Sequence, residues 1–117
     1  MTKVAILVLE GTESASGLGR VVNAMEAVKE FIEAGDEVEL IFDGAGTQWI
    51  PELEDTDHKY HDVYAAVRGE VSVCDYCVSA FQVDDVVDDV GLERRDEYEG
   101  HPSIRSLVAD GYDVITF

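Results

Sequence analysis

Lys3-Val4-Ala5-Ile6-Leu7-Val8-Leu9 opens the chain with an apolar run of strand length. It does not alternate, which is the pattern of a strand buried on both faces. Glu10 to Gly17 follows as a loop rich in Thr, Ser and Gly. Leu18, Val21, Val22, Met25, Val28 and Ile32 then recur at helical spacing, with Gly35 placed to stop the helix. Glu37 to Phe42 is a second strand, and Asp43-Gly44-Ala45-Gly46 turns the chain. A strand, helix and strand of this kind form the first unit of a parallel sheet.

The rest of the chain repeats the alternation. Trp49, Ile50 and Leu53 suit a short helical segment. A helix from about Asp57 to Arg68 is expected, with Tyr60, Val63, Tyr64 and Val67 as its apolar stripe. Glu70 to Val73 reads as a strand. A helical region begins near Cys77, and its second half sets Val83, Val86, Val87 and Val90 against Asp84, Asp85, Asp88 and Asp89 before Gly91. Leu92 to Gly100 is a polar connection with room for a short strand. Pro102 opens a last helix with Ile104, Leu107 and Val108 inward, and Tyr112 to Phe117 closes the chain as a strand. The expected fold is α/β: a flavodoxin-like, doubly wound, mostly parallel sheet of four or five strands with helices on both faces. It forms a single domain over residues 1–117. In such sheets functional groups gather at the carboxyl ends of the strands. Here those ends are the segments Glu10 to Gly19, Asp43 to Gln48 and Cys74 to Cys77.

Charge narrows the function. The 117 residues include 26 Asp and Glu but only 8 Lys and Arg, for a formal net charge of −18. Eight scattered cations build no patch for nucleic-acid phosphates, and an anionic membrane surface is an equally poor partner. With 46% hydrophobic residues the chain is not of disordered composition. No apolar run approaches a membrane span, and the first strand lacks the cleavage site of a signal peptide. The charge is spread along the whole chain. That distribution suits a halophilic protein of a salt-rich cytoplasm, where a Debye length of about 3 Å at 1 M screens self-repulsion. An acidic face for a cationic partner is the alternative.

Cys74-Asp75-Tyr76-Cys77 is the segment with the most chemistry. It holds the only two cysteines, three residues apart, where a strand meets a helix. Helix amides favour a thiolate, and a second thiol at this spacing can resolve a mixed disulfide or perthiol. The competing readings are two small buried residues at a junction, or a zinc site completed by His58 and His61. Those two histidines otherwise read as a solvated helix flank, and His101 reads as a helix-start residue. The Gly11 to Arg20 loop matches no phosphate-binding motif, and Glu10 and Glu13 would repel a phosphate. The Asp84-Asp85 and Asp88-Asp89 pairs lack cation-cage spacing and read as a solvated face. No cofactor is expected.

The strand–loop–helix start, the stretch Glu33-Ala34-Gly35-Asp36-Glu37-Val38-Glu39-Leu40-Ile41-Phe42-Asp43-Gly44 and the segment Cys74-Asp75-Tyr76-Cys77-Val78-Ser79-Ala80 together resemble the DsrE/DsrF-like family. The resemblance covers about residues 3–117. It implies a small flavodoxin-like domain that assembles as trimers or hexamers. It also implies a cysteine that carries sulfur as a persulfide between donor and acceptor proteins or small thiols. Only Cys74 and Cys77 carry over as site residues, and Cys77 is the one expected nearer the helix amides. The expected function is therefore a sulfur-carrier or thiol-redox protein. The alternatives are a non-catalytic oligomeric assembly module, and a zinc protein using Cys74, Cys77, His58 and His61.

Overall fold

The computed structural model describes residues 1–117. Five strands form one sheet: β1 (Lys3–Val8), β2 (Glu37–Phe42), β3 (Val71–Cys74), β4 (Glu93–Arg95) and β5 (Asp113–Thr116). All pairings are parallel, in the order β4-β3-β2-β1-β5. The helices are α1 (Ala15–Glu33), α2 (Trp49–Glu54), α3 (His61–Val67), α4 (Asp75–Ala80), α5 (Asp84–Val90) and α6 (Ile104–Ala109). This is the doubly wound, flavodoxin-like α/β architecture. The strand order differs from the 2-1-3-4-5 of flavodoxin itself. Here the chain steps outward from β1 through β4, then crosses back to lay β5 on the other side of β1.

That reversal divides the helices. Parallel crossovers are right-handed, so a change of direction moves the connecting helix to the opposite face. The first face carries Val4, Ile6, Val8, Leu40, Phe42 and Val73 against apolar side chains of α1 to α5, and it holds the main core. The second face carries a small cluster of Ala5, Leu7, Ile41 and the α6 residue Leu107, with Tyr112 and Val114 beside it. Farther along that face, over β2 to β4, Arg95 donates to Glu39 at 2.7 Å, reaching across the intervening β3. Full burial of each large apolar side chain contributes about 1.5–3 kcal/mol, which places most of the stabilisation on the first face.

Local chemistry explains where the elements start and stop. Ser14 caps α1 by accepting the Gly17 N–H at 3.1 Å. Gly17 packs so closely on the Gly11 carbonyl that a Cβ there would overlap it. After β2, Asp43 caps a 3₁₀ turn over Gly44–Gln48, accepting the Gly44 N–H at 2.7 Å.

Four expectations need correction. The helix anticipated from Asp57 begins only at His61, because Asp55 accepts from the Asp57 N–H and His58 Nδ1 accepts from the Tyr60 N–H, which fold residues 55–60 into turns. The helical region after Cys77 is two helices, broken where Gln82 takes a positive φ of 59°. In α6 only Leu107 is buried; Ile104 and Val108 are exposed. The aspartates of α5 are not simply solvated, since Arg94 of β4 binds Asp75, Asp84 and Asp88 at 2.7, 3.2 and 3.0 Å. No helix is long and apolar enough to cross a membrane.

Candidate functional site

The sheet order assembles the site. Adjacent parallel strands end at the same edge, so Asp43, one residue beyond β2, lies beside Cys74, the last residue of β3. Cys74 is also the residue from which α4 starts, and Cys77 follows one turn later. A fourth side chain arrives from the loop after β4. Tyr98 and His101 exchange backbone hydrogen bonds of 2.9 and 2.8 Å, with Glu99 and Gly100 at φ 50° and 85° between them. Two consecutive positive φ values define a tight turn of the primed type. The turn docks on α4 through a 2.8 Å bond from the Tyr76 N–H to the Gly100 carbonyl. It sets the His101 ring 4.9 Å from the Tyr76 ring.

Four groups converge there. The two sulfurs lie 3.4 Å apart. Cys74 Sγ is 3.3 Å from His101 Nδ1 and 3.8 Å from the Gly100 carbonyl. The Cys77 thiol donates to Asp43 Oδ1 at 3.5 Å. One ligating atom from each of Asp43, Cys74, Cys77 and His101 lies within 4.8 Å of all the others. Both cysteines are free thiols. Cys74 is fully buried, while Cys77 keeps 9% of its surface.

Electrostatics hold the Cys74 thiol in its protonated form. Burial pushes the Cys74 thiol up to about 12, and the negative charge of Asp43 acts in the same direction. The backbone N–H of Cys77 points at the Cys74 sulfur and acts against them. The first-turn amide therefore serves Cys74, whereas the spacing alone had suggested Cys77. No Lys or Arg forms an ion pair with Asp43.

The other candidates do not join the site. His61 Nδ1 is committed to the Leu53 carbonyl at 2.7 Å, and His58 Nδ1 to the Tyr60 N–H at 3.0 Å. Neither belongs to the ligand cluster, so His58 and His61 give way to Asp43 and His101. For Asp43 a signal existed, because it opens one of the three segments expected at the carboxyl edge of the sheet. For His101 there was none: Glu99-Gly100 is not the Asn-Gly or Asp-Gly pair that marks such a turn. The loop after β1 folds onto the second crossover, with Trp49 Nε1 donating to the Glu10 carbonyl at 2.9 Å. It borders a cavity of about 220 Å³ lined by Glu10, Glu13, Gln48 and Phe81 among others.

No family model matches the chain. An uncharacterized protein of Methanocaldococcus jannaschii is 29% identical over 86 residues, which span 74% of this chain and 70% of that relative. A conserved protein of unknown function from Bacteroides thetaiotaomicron superposes with a TM-score of 0.65, covering 97% of this chain and 94% of that one at 12% identity. That likeness shows the fold alone.

Proposed function

We propose that the protein handles sulfur through the Cys74–Cys77 dithiol, as a persulfide carrier or thiol-redox protein of DsrE-like type. The observation that carries this reading is the 3.4 Å separation of the two sulfurs at the carboxyl edge of the sheet. A disulfide bond of roughly 2.0 Å needs only a short approach from there. In the loading step the Cys77 thiolate attacks the outer sulfur of a donor persulfide, R–S–SH. An S–S bond forms at Cys77, the donor S–S bond breaks, and R–S⁻ leaves with the electron pair. Discharge has two balanced routes. An acceptor thiolate takes the outer sulfur and restores the Cys77 thiolate. Alternatively Cys74, giving its proton to His101, attacks the inner sulfur, forms the Cys74–Cys77 disulfide and expels HS⁻. A dithiol reductant then returns the pair to the reduced state.

The test is intact-mass measurement. Reduced protein treated with a small-molecule persulfide should gain the mass of one sulfur atom, lose it on addition of a thiol reductant, and keep its fold throughout. Absence of that gain on folded, reduced protein overturns the reading.

Assembly belongs to the same proposal. Like-charged chains in a salt-rich cytoplasm associate as the salt screens them, and exposed Ile104, Val108 and Tyr98 offer apolar surface to a second copy. Sedimentation should show a homo-oligomer, trimer or hexamer, at about 2 M salt and smaller species at about 0.1 M. The same mass at both concentrations would contradict salt-driven assembly.

A further inference from the structure

We infer that Asp43, Cys74, Cys77 and His101 bind one zinc ion in the reduced protein, and that zinc occupancy silences the thiols. The regulatory half of this inference rests on the sulfur-handling reading; the binding half does not. Three independent observations meet at the site. First, the donor set is two thiols, an imidazole nitrogen and a carboxylate, a mixture of the ligand types that zinc takes. Second, the spacing fits. A tetrahedral zinc with bonds of about 2.0–2.3 Å places its ligand atoms roughly 3.3–3.8 Å apart. The three contacts between neighbouring groups are 3.3, 3.4 and 3.5 Å, and no pair exceeds 4.8 Å. Third, the site lacks a positive partner. A half-buried carboxylate sits against a thiol with no Lys or Arg paired to it. A divalent cation supplies the missing charge.

The ligands are also held from behind. Asp43 Oδ1 is fixed by the Gly44 N–H at 2.7 Å. His101 sits in a turn tied to α4 by the Tyr76–Gly100 bond. Cys74 ends a strand whose four residues are all buried. Such backing reduces the rearrangement that binding requires. On binding, Zn²⁺ takes both thiolates, and the two S–H protons pass to solvent. Each thiolate then gives an electron pair to the metal, which weakens both cysteines as nucleophiles toward a persulfide. In zinc-free protein the Cys74–Cys77 disulfide forms as the outer sulfur of a Cys77 persulfide leaves as HS⁻, and that form keeps only two of the four ligands.

The experiment uses reduced, full-length protein with one equivalent of Zn²⁺, followed by gel filtration and elemental analysis. Cobalt(II) serves as a second probe, because thiolate ligation gives a charge-transfer band and tetrahedral geometry an intense visible spectrum. The expected result is close to one zinc per chain, at least about 10-fold weaker binding in His101→Ala and in Asp43→Ala, and no binding by the disulfide form. Thiol alkylation by iodoacetamide should slow at least about 10-fold when zinc is present. Less than about 0.1 zinc per folded, reduced chain overturns the site. Equal binding by the disulfide form overturns the ligand assignment, and so does unchanged affinity in both variants. Unchanged alkylation at full occupancy overturns the silencing. Persulfide loading is measured on zinc-free protein, so failure to load would remove the sulfur reading while leaving metal binding standing.

Discussion

Replacing Gly46 by alanine is expected to cost about 3 kcal/mol or more of folding stability. The residue sits in the 3₁₀ turn after β2, and its Cα packs directly on the end of β1. A Cβ placed there would overlap the Val8 carbonyl oxygen and its carbon. Both are backbone atoms, so no rotamer change relieves the clash. That Val8 oxygen also accepts the Asp43 N–H at 2.9 Å, a bond that ties β1 to the start of the turn. Relief therefore requires the turn to lift away from the sheet. Lifting it loosens Trp49, Ile50 and Leu53, all buried in the main core just downstream, and it withdraws Asp43 from Cys77. Gly19→Ala provides the contrast. Gly19 is exposed in α1 and a Cβ meets nothing within 4 Å, so alanine should stabilise by about 0.5–1 kcal/mol through its helix propensity. Denaturant titration of both variants checks the pair. A Gly46→Ala variant within about 0.5 kcal/mol of the parent would mean that the turn is not held against β1 as described.

The contrast between these glycines bears on what could be read from sequence. β1 was legible because burial on both faces leaves an apolar run, and β2 and β3, which carry Glu37, Glu39 and Ser72, were legible as short apolar-rich stretches between turn and helix signals. The amphipathic stripe of α1 was legible because burial on one face leaves apolar residues at helical spacing. β4 was nearly invisible, since Glu93-Arg94-Arg95 carries nothing apolar. It is an edge strand, and side-chain ion pairs hold it: Arg94 to three aspartates, Arg95 to Glu39 and Glu97. Such pairs leave no periodic signal, because their partners come from α4, α5 and β2. The acidic stripe of α5 looked like plain solvation for that reason. His58 and His61 misled in the opposite direction. Their three-residue spacing implies a shared helix face only if a helix covers both, and local turns end that helix at His61.

The candidate site divides along the same line. The two cysteines were visible as the chain's only pair at a strand–helix junction. Asp43 and His101 became visible only through topology. The order β4-β3-β2 places the ends of three strands side by side, and each contributes a side chain from the segment that follows it. The net charge of −18 gave no hint of this cluster, yet it shapes the chemistry there. One of the many acids, Asp43, sits beside Cys77 and opposes a thiolate in its neighbourhood. Whatever activates the dithiol must act against that charge, by screening, by displacing Asp43, or through a cation.

Separating the two thiols is the sharper functional prediction. Cys77→Ser is expected to lower persulfide loading at least 100-fold, whereas Cys74→Ser should leave loading within about 10-fold of the parent. An attacking thiol must reach its donor, and exposure differs between the two: Cys77 keeps 9% of its surface and Cys74 none. Cys74 is enclosed by the Gly100 carbonyl and the His101 ring on one side and by Cys77 on the other. Its geometry suits the second step, in which it needs to reach only the sulfur of Cys77. In the tautomer with its proton on Nε2, His101 offers Nδ1 as an acceptor 3.3 Å away. Cys74→Ser removes that step. A mixed disulfide formed at Cys77 with a small disulfide reagent should then persist, where the parent would resolve it into the internal Cys74–Cys77 bond. His101→Ala should slow this resolution while sparing loading, because the imidazole takes a proton only when Cys74 attacks. Mass spectrometry of trapped species over time, with circular dichroism to verify folding, reads all three variants at once. Loading that survives Cys77→Ser and vanishes in Cys74→Ser would reverse the assignment, and would require the turn over residues 98–101 to open before a donor could enter.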